Sequence, residues 1–246
     1  MITRADIQLV RSLADKRART ETGLFVAEGA KLVGEIAASS LRVRNIYSSR
    51  EFAHPAFEHA TAKELERLSL LKTPSDTVAV VEIPHYKFDL TEAERGLVLA
   101  LDEVQNPGNM GTIIRLADWF GIRHIYCSPN TADAFSPKVI QATMGAIARV
   151  NVHYTPLPDL IQSLGDTPIY GTFLDGDSIY KQSLSEHGLI VMGNEGNGIS
   201  QPVAALINRK LLIPNYPEGC ATSESLNVAI ATAVVCAEFR RTASSK

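Results

Sequence analysis

Cysteine is scarce in this chain: three in 246 residues, with no C-x-x-C pair, which excludes a disulfide framework and a zinc site. Cys127, Cys220 and Cys236 stand far apart and read as buried small apolar residues. Long apolar runs are lacking too. The longest, Val228 to Ala237, is about half of what a bilayer-spanning helix needs, and Glu238 and Arg240 follow it. The first residues, MITRADIQLVRSLADKR, are charged and hold no apolar stretch with a small-residue cleavage site, so the reading is a cytoplasmic protein without a membrane span. There is no H-E-x-x-H, Walker loop, EF-hand or G-x-S-x-G elbow, and no metal is expected. G-x-G-x-x-G is missing as well, which disfavours a nicotinamide dehydrogenase and a conventional Rossmann methyltransferase.

Charge of one sign is also in short supply. A net charge of −3 does not announce a nucleic-acid binder, because phosphate neutralisation leaves a basic footprint. The distribution is less even: residues 1–50 carry nine cations against five anions, with Arg11, Lys16, Arg17 and Arg19 close together. A solvated helix face and an RNA-facing surface both fit that excess.

An apolar content of 45% with 21% charged residues is that of an ordinary globular chain, and the length suits one large or two smaller α/β domains. The segment Thr3 to Arg19 reads as a basic helix, followed by a turn at Glu21-Thr22-Gly23. LFVAEG and VRNIYSS read as strands around the helix KLVGEIAAS; a helix over Thr61 to Leu70 and a β-rich stretch over Thr77 to Ile83 complete a small unit. The polar stretch HYKFDLTEAERG serves as the linker, which places a boundary near 92, with domains 1–92 and 93–246. Beyond it α/β alternation is regular. LVLALDEV has the continuous apolar character of a strand buried on both faces. HIYC, RVNVHY, IYGTF, LIVMG and KLLIP follow as strands, with helices over MGTIIRLADWF, Ser136 to Gly145, Leu157 to Leu164, Ser200 to Asn208 and Ser225 to Arg241. Ser136-Pro137 reads as a capped helix opening.

Three loops follow apolar strands and hold residues better suited to a ligand than to a core, at the strand ends where open α/β sheets bind ligands. In QNPGNMGTIIR the Pro and two Gly shape a turn, the helix start offers N–H groups to an anion, and Arg115 follows one turn into the helix. In GNEGNGIS, Gly193, Gly196 and Gly198 leave backbone amides open to close approach. In IPNYPEGCATSESLNVAIATAVVCAEF a strand enters a long polar loop before Ser225-Leu226-Asn227 and an Ala-rich helix. Taken singly, the glycine loop reads equally as a turn, and Ser225 reads first as the polar cap of a packing helix. His85, His124, His153 and His187 fall outside these loops, so no nucleophile triad is assembled.

In order and wording, N-P-G-N-x-G-T-I-I-R-x-A-D, G-N-E-G-x-G and I-P followed by S-L-N-V-A-x-A resemble the three signature motifs of the SpoU (TrmH-like) branch of the SPOUT RNA methyltransferases, over Leu97 to Arg240. RSLADKRARTETGLFVAEGAKLV resembles the substrate-binding domain that precedes the catalytic domain in many members. The resemblance implies an α/β fold: a C-terminal SPOUT domain with a parallel sheet and a deep trefoil knot, preceded by a smaller ribosomal-protein-like RNA-binding domain, in a homodimer. Physics alone argues against a threaded chain. The resemblance also implies S-adenosylmethionine as cofactor, touching Gly193, Ile213 and Leu226, with Asn194, Glu195, Gly196 and Gly198 shaping the pocket and Thr172 and Leu174 lining it. Asn109, Arg115, Glu195, Ser225 and Asn227 match the family's catalytic set. The loop NYPEGCATSE, Asn215 to Glu224, is longer than the family pattern.

The reaction so implied is methyl transfer to a ribose 2′-hydroxyl of structured RNA, with ribosomal RNA the first expectation and transfer RNA the alternative. It is an in-line displacement, in which alignment does most of the work. A guanidinium holds its proton, so Arg115 is read as a clamp on the adjacent phosphate. Glu195 would orient it, and Asn109, Ser225 and Asn227 would hold the ribose. A noncatalytic RNA-binding protein of the same fold is the rival from another class, separated by cofactor binding. A base-methylating SPOUT enzyme is disfavoured by the Asn109/Arg115 and Ser225/Asn227 pairs.

Overall fold

The computed structural model describes residues 2–87, 89, 91–217, 220, 223 and 225–243. In chain order the elements are α1 (Arg4–Ser12), α2 (Lys16–Thr22), β1 (Leu24–Glu28), α3 (Ala30–Ala37), β2 (Val43–Ser48), β3 (Phe57–His59), α4 (Ala62–Leu68), β4 (Thr77–Glu82) and α5 (Glu92–Arg95). There follow β5 (Leu97–Leu101), α6 (Pro107–Trp119), β6 (His124–Cys127), α7 (Pro137–Thr143), β7 (Asn151–Tyr154), α8 (Leu157–Ser163), β8 (Ile169–Ser178), β9 (Gly188–Met192), α9 (Gln201–Ala204), β10 (Arg209–Leu212) and α10 (Val228–Ala243). They form two compact units: Met1–His85 with Asp133–Arg149, and Tyr86–Ala132 with Val150–Lys246. The first unit thus includes a stretch from the later chain that a single cut near 92 does not reach.

The first unit is built on a sheet of order β1-β4-β2-β3, in which β4 runs antiparallel to β1 and β2, and β3 parallel to β2. Every residue of β1 is buried because both faces of the sheet are covered. Leu24 and Val26 join Val10 and Leu13 beside α1 and Leu65 and Leu68 of α4 in one core. Phe25 points the other way and meets Phe135, ring centroids 5.2 Å apart, a contact worth about 0.5–1.5 kcal/mol beyond the burial itself. The continuous apolar run of LFVAE records that two-sided cover.

The single basic helix expected over Thr3 to Arg19 is two helices. Thr3 caps α1 through a reciprocal pair with Asp6, and Asp15, in extended backbone, accepts from Arg17 N to start α2. The break decides the fate of Arg19, expected on the RNA-facing surface. It is 3% exposed. Its Nη1 donates to the carbonyls of Leu13 (2.7 Å) and Ala14 (3.0 Å), and its Nε and Nη2 to Asp133 Oδ2 at 3.0 and 2.5 Å. The last carbonyls of a helix have no partner within it, and this guanidinium satisfies them. Arg19 is therefore a fold residue. Arg11, Lys16 and Arg17 are exposed, Arg11 donating to Arg67 O and Arg17 pairing with Glu21 at 2.7 Å.

The second unit is a six-stranded sheet of order β10-β8-β9-β5-β6-β7 with every pair parallel, the α/β class that the alternation implied. Leu157, Leu160 and Ile161 of α8 and Val203 of α9 pack with Val98, Ala100, Leu189 and Val191 of the sheet. α6 lies against α10, and Phe239 of α10 meets the ring of Tyr170 edge-on at 4.8 Å. From β5 the chain builds β6 and β7 outward on one side, and β9, β8 and β10 lie on the other. The direction of winding changes between β5 and β9, so the loops after these two strands open a crevice at one sheet end.

Several local expectations fail for physical reasons. The expected linker contains α5, while its Phe88 and Leu90 lie outside the described residues. β3 was not foreseen, since FEH has no apolar period. Ser136 does not cap α7: its Oγ is buried without a hydrogen-bond partner. α9 is one turn, not Ser200 to Asn208, and α10 starts at Val228, leaving Ser225 and Leu226 in the loop. Cys127 and Cys236 are buried as expected, but Cys220 is exposed. Among the described residues no helix is long and apolar enough to cross a membrane, and no group of three His, Cys, Asp or Glu is placed to hold a metal.

Candidate active site

Helix α6 begins earlier than its apolar spacing suggests. Asn106 accepts from the backbone N–H groups of Gly108 (2.8 Å) and Asn109 (3.2 Å), and Pro107 fills the first turn. Two consequences correct the sequence reading. The first N–H groups are occupied by this cap and not open to an anion, and Arg115 sits in the third turn of the helix. It is exposed there on the same face as Thr112 and Trp119. No hydrogen bond or ion pair holds its guanidinium among the described residues.

The loop after β9 folds back on itself: Asn194 and Gly198 exchange backbone hydrogen bonds, 2.9 Å each. Gly193 is needed for this crossing, because a Cβ there would fall 2.3 Å from the carbonyl carbon of Gly198. Gly198 adopts φ +69°, in the left-handed region that glycine enters without strain. At both positions the requirement for glycine comes from the loop's own backbone, which the reading of open amides had not anticipated.

α10 is opened by Asn227, whose Oδ1 accepts from Ala229 N (3.0 Å) and Ile230 N (3.3 Å). The other end of the same amide, Nδ2, donates to Asn109 Oδ1 at 3.1 Å, and Asn109 Nδ2 donates to Glu195 Oε1 at 2.5 Å. One hydrogen-bonded row, Asn227–Asn109–Glu195, therefore ties together the three loops singled out in the sequence. The carboxylate of Glu195 accepts from Asn109, and among the described residues no hydrogen bond or ion pair joins it to Arg115 as the sequence reading expected.

Beside this row lies a cavity of about 970 Å³. Thr172, Leu174, Gly193, Asn194, Glu195, Gly196, Gly198, Ile213 and Leu226 all line it, and so does Ser225. Asn109, Arg115 and Asn227 lie outside its lining. The sequence reading missed Phe173, Ile199, Leu212 and Asn215. For Phe173 and Leu212 the signal was weak because the wall from β8 is irregular: Gly171 pairs with Lys210 and Asp177 with Leu211, so 172–176 bow away from the β10 partner. Alternation cannot assign faces across such a bulge. Within the long loop, Glu218, Gly219, Ala221, Thr222 and Glu224 lie outside the described residues. Among the described residues that line the cavity, Glu195 is the only one with an ionisable side chain. A site with apolar walls, many backbone amides and one carboxylate suits a ligand with a flat heterocycle and a positive centre, and S-adenosylmethionine has both.

The class of protein is defined by the comparison with known families. The SpoU rRNA methylase family model matches residues 96–237, and the MRM3-like substrate binding domain model matches residues 4–84. The chain belongs to the SpoU rRNA methylase family and is an S-adenosylmethionine-dependent RNA 2′-O-methyltransferase. Among particular proteins, it is 32% identical to the 23S rRNA (guanosine(2553)-2′-O)-methyltransferase RlmP of Bacillus subtilis, over 94% of each chain. It is 40% identical to a TrmH-family protein of known structure from Porphyromonas gingivalis, with a TM-score of 0.87 over 98% of this chain and 99% of that one. The S-adenosylmethionine-bound rRNA methyltransferase from Sinorhizobium meliloti is 26% identical, with a TM-score of 0.84 over 98% and 96%.

Proposed function

We propose that the target is a ribose 2′-hydroxyl in ribosomal RNA, and that the cavity lined by Gly193, Ile213 and Leu226 receives the cofactor. The observation that carries this reading is the Asn227–Asn109–Glu195 row, which joins the rim of the cavity to the helix bearing Arg115. When bound, the cofactor supplies a methyl group on a sulfonium centre. The chain's own residues align the acceptor. Arg115, exposed and unpaired among the described residues, clamps the neighbouring phosphate and offsets negative charge as the hydroxyl loses its proton. Asn109, Asn227 and Ser225 hold the ribose, and Glu195 fixes the amide of Asn109 for that task.

The same reading takes the chain between β10 and α10 as the segment that threads a trefoil knot, supported by its sharing one cavity with the loops after β8 and β9. It takes the enzyme as a homodimer in the cytoplasm. Trp119 of α6 is 83% exposed and Ile230 of α10 is 55% exposed. α6 and α10 pack on each other, and an apolar pair of this size facing water suits a second copy. The first unit carries fourteen Lys and Arg against twelve Asp and Glu, and the second ten against fifteen. That contrast supports the first unit as the RNA-holding part, with Arg11, Lys16 and Arg17 on the contact surface and a large folded RNA as substrate.

Methyl-label transfer to total RNA from a strain lacking the gene, followed by mapping of ribose methylation, tests the proposal. The expected result is one labelled 2′-O-methyl nucleotide in ribosomal RNA. Label confined to transfer RNA would overturn the choice of target.

A further inference from the structure

The loop between β5 and α6 contains an anomaly that the site as described does not use. Glu103 adopts φ +58°, a left-handed conformation rare outside glycine, and it does so beside the cavity wall. Backbone strain that persists next to a site is held there by its surroundings and points to a role. Each polar group of Glu103 is engaged. Its N–H donates to Ser128 Oγ (2.9 Å), its carboxylate accepts from Asn130 Nδ2 (2.9 Å), and its carbonyl accepts from Asn194 Nδ2 (2.8 Å).

Asn194 is equally committed. Its Oδ1 accepts from Gly196 N (2.8 Å) and Asn197 N (3.0 Å), so the amide that binds the Glu103 carbonyl also holds the tip of the glycine loop in shape. Ser200 N donates to the buried carboxylate of Asp102 at 2.7 Å, tying the far end of the loop to the same strand end. Asp102 N also donates to Met192 O at 2.9 Å, and Asn109 Nδ2 to Glu195 Oε1, so hydrogen bonds join the two loops along their length.

We propose that Glu103 and Asn194 form a clasp that sets the distance between the cavity wall and the N-terminus of α6, and that both are positioning residues for methyl transfer. The left-handed backbone of Glu103 turns its carbonyl toward the loop, and the Asn194 amide locks onto it. An amide is required at 194 because one end must donate to a carbonyl while the other accepts from two N–H groups. A carboxylate there keeps the second set and loses the first. At 103 the backbone conformation matters more than the side chain, so glycine serves and a β-branched residue does not. The inference rests on the reading that the cavity takes the cofactor.

The test measures S-adenosylmethionine affinity by calorimetry and kcat and KM for RNA on the full chain, with thermal melting alongside. Asn194→Asp is expected to weaken cofactor binding roughly tenfold, the effect of losing one part-buried hydrogen bond, and to raise KM for the cofactor while the melting midpoint stays near the wild type. Glu103→Val is expected to reproduce the loss, and Glu103→Gly to rescue it to within about twofold, as the backbone argument requires. Wild-type binding in both Asn194→Asp and Glu103→Val would overturn the clasp and leave the cofactor site standing. A melting midpoint lowered in step with affinity in every variant would reduce the clasp to general stability and overturn the positioning role. Wild-type protein that binds the cofactor with Gly193, Ile213 and Leu226 outside the contact set would instead remove the underlying reading, and the clasp with it.

Discussion

Two arginines illustrate how differently the two units use one side chain. In the first unit Arg19 is sealed in the fold, its guanidinium spent on Asp133 and two helix-end carbonyls. In the second unit Arg115 stands on an exposed helix face, unpaired among the described residues. Both occur in motif-like basic or glycine-rich stretches, and composition treats them alike. What separates them is where the backbone ends a helix. Asp15 stops and restarts the chain and so leaves carbonyls for Arg19 to satisfy, whereas α6 continues past Arg115 and leaves it nothing to hold.

Removing each arginine should therefore damage a different property. Arg19→Ala strands the Asp133 carboxylate and two carbonyls, and its expected cost is about 3–5 kcal/mol of unfolding free energy in denaturant titration. Surviving molecules should transfer methyl groups at the wild-type rate. Arg115→Ala should leave the denaturation midpoint unchanged and lower kcat by roughly 10²–10³, the range for deleting one donor to developing negative charge. Arg115→Lys should recover only a small part, since an ammonium cannot make the paired contact of a guanidinium. If Arg19→Ala cost activity without stability, or Arg115→Ala the reverse, the contrast would be wrong.

A third experiment asks whether the distinction follows burial or follows the unit. His153 lies in the second unit yet is 8% exposed, stacked on Tyr126 at 4.9 Å with its Nε2 3.1 Å from His124 Nδ1. Burial, helped by the neighbouring His124, pushes its pKa from 6.5 down to about 4. The unfolded chain then binds a proton that the folded chain refuses, so stability falls as pH drops from 6.5 toward 4 and levels off below. His153→Phe should flatten part of that slope in melting experiments while keeping the stacked ring. An unchanged slope would show that His153 does not carry the effect.

Much of this was legible in the residues. The α/β class followed from the alternation of strand and helix segments and the parallel sheet from the family resemblance, and the nine positions assigned to the cofactor all reach one cavity. Motif wording located them because each loop follows a strand end. What could not be read was anything set by partners remote in sequence: that Arg19 would find Asp133, that Glu195 would hold Asn109 instead of Arg115, and that 172–176 would bow outward. Helix limits failed where a cap overruled the apolar period, at Asn106 and Asn227. Glu103 gave no signal at all, since nothing in a Glu announces a left-handed backbone.

One face of the first unit's sheet is covered by α7 from Asp133–Arg149, so the inventory of residues needed to build that unit is discontinuous in the gene. A fusion that joins the first ninety or so residues to a foreign catalytic half would deprive Phe25 of Phe135 and Arg19 of Asp133. For recombination between relatives, by design or by descent, the two parts are thus inherited as a set, and a change of RNA target must come from substitutions within the lineage more readily than from exchange of modules.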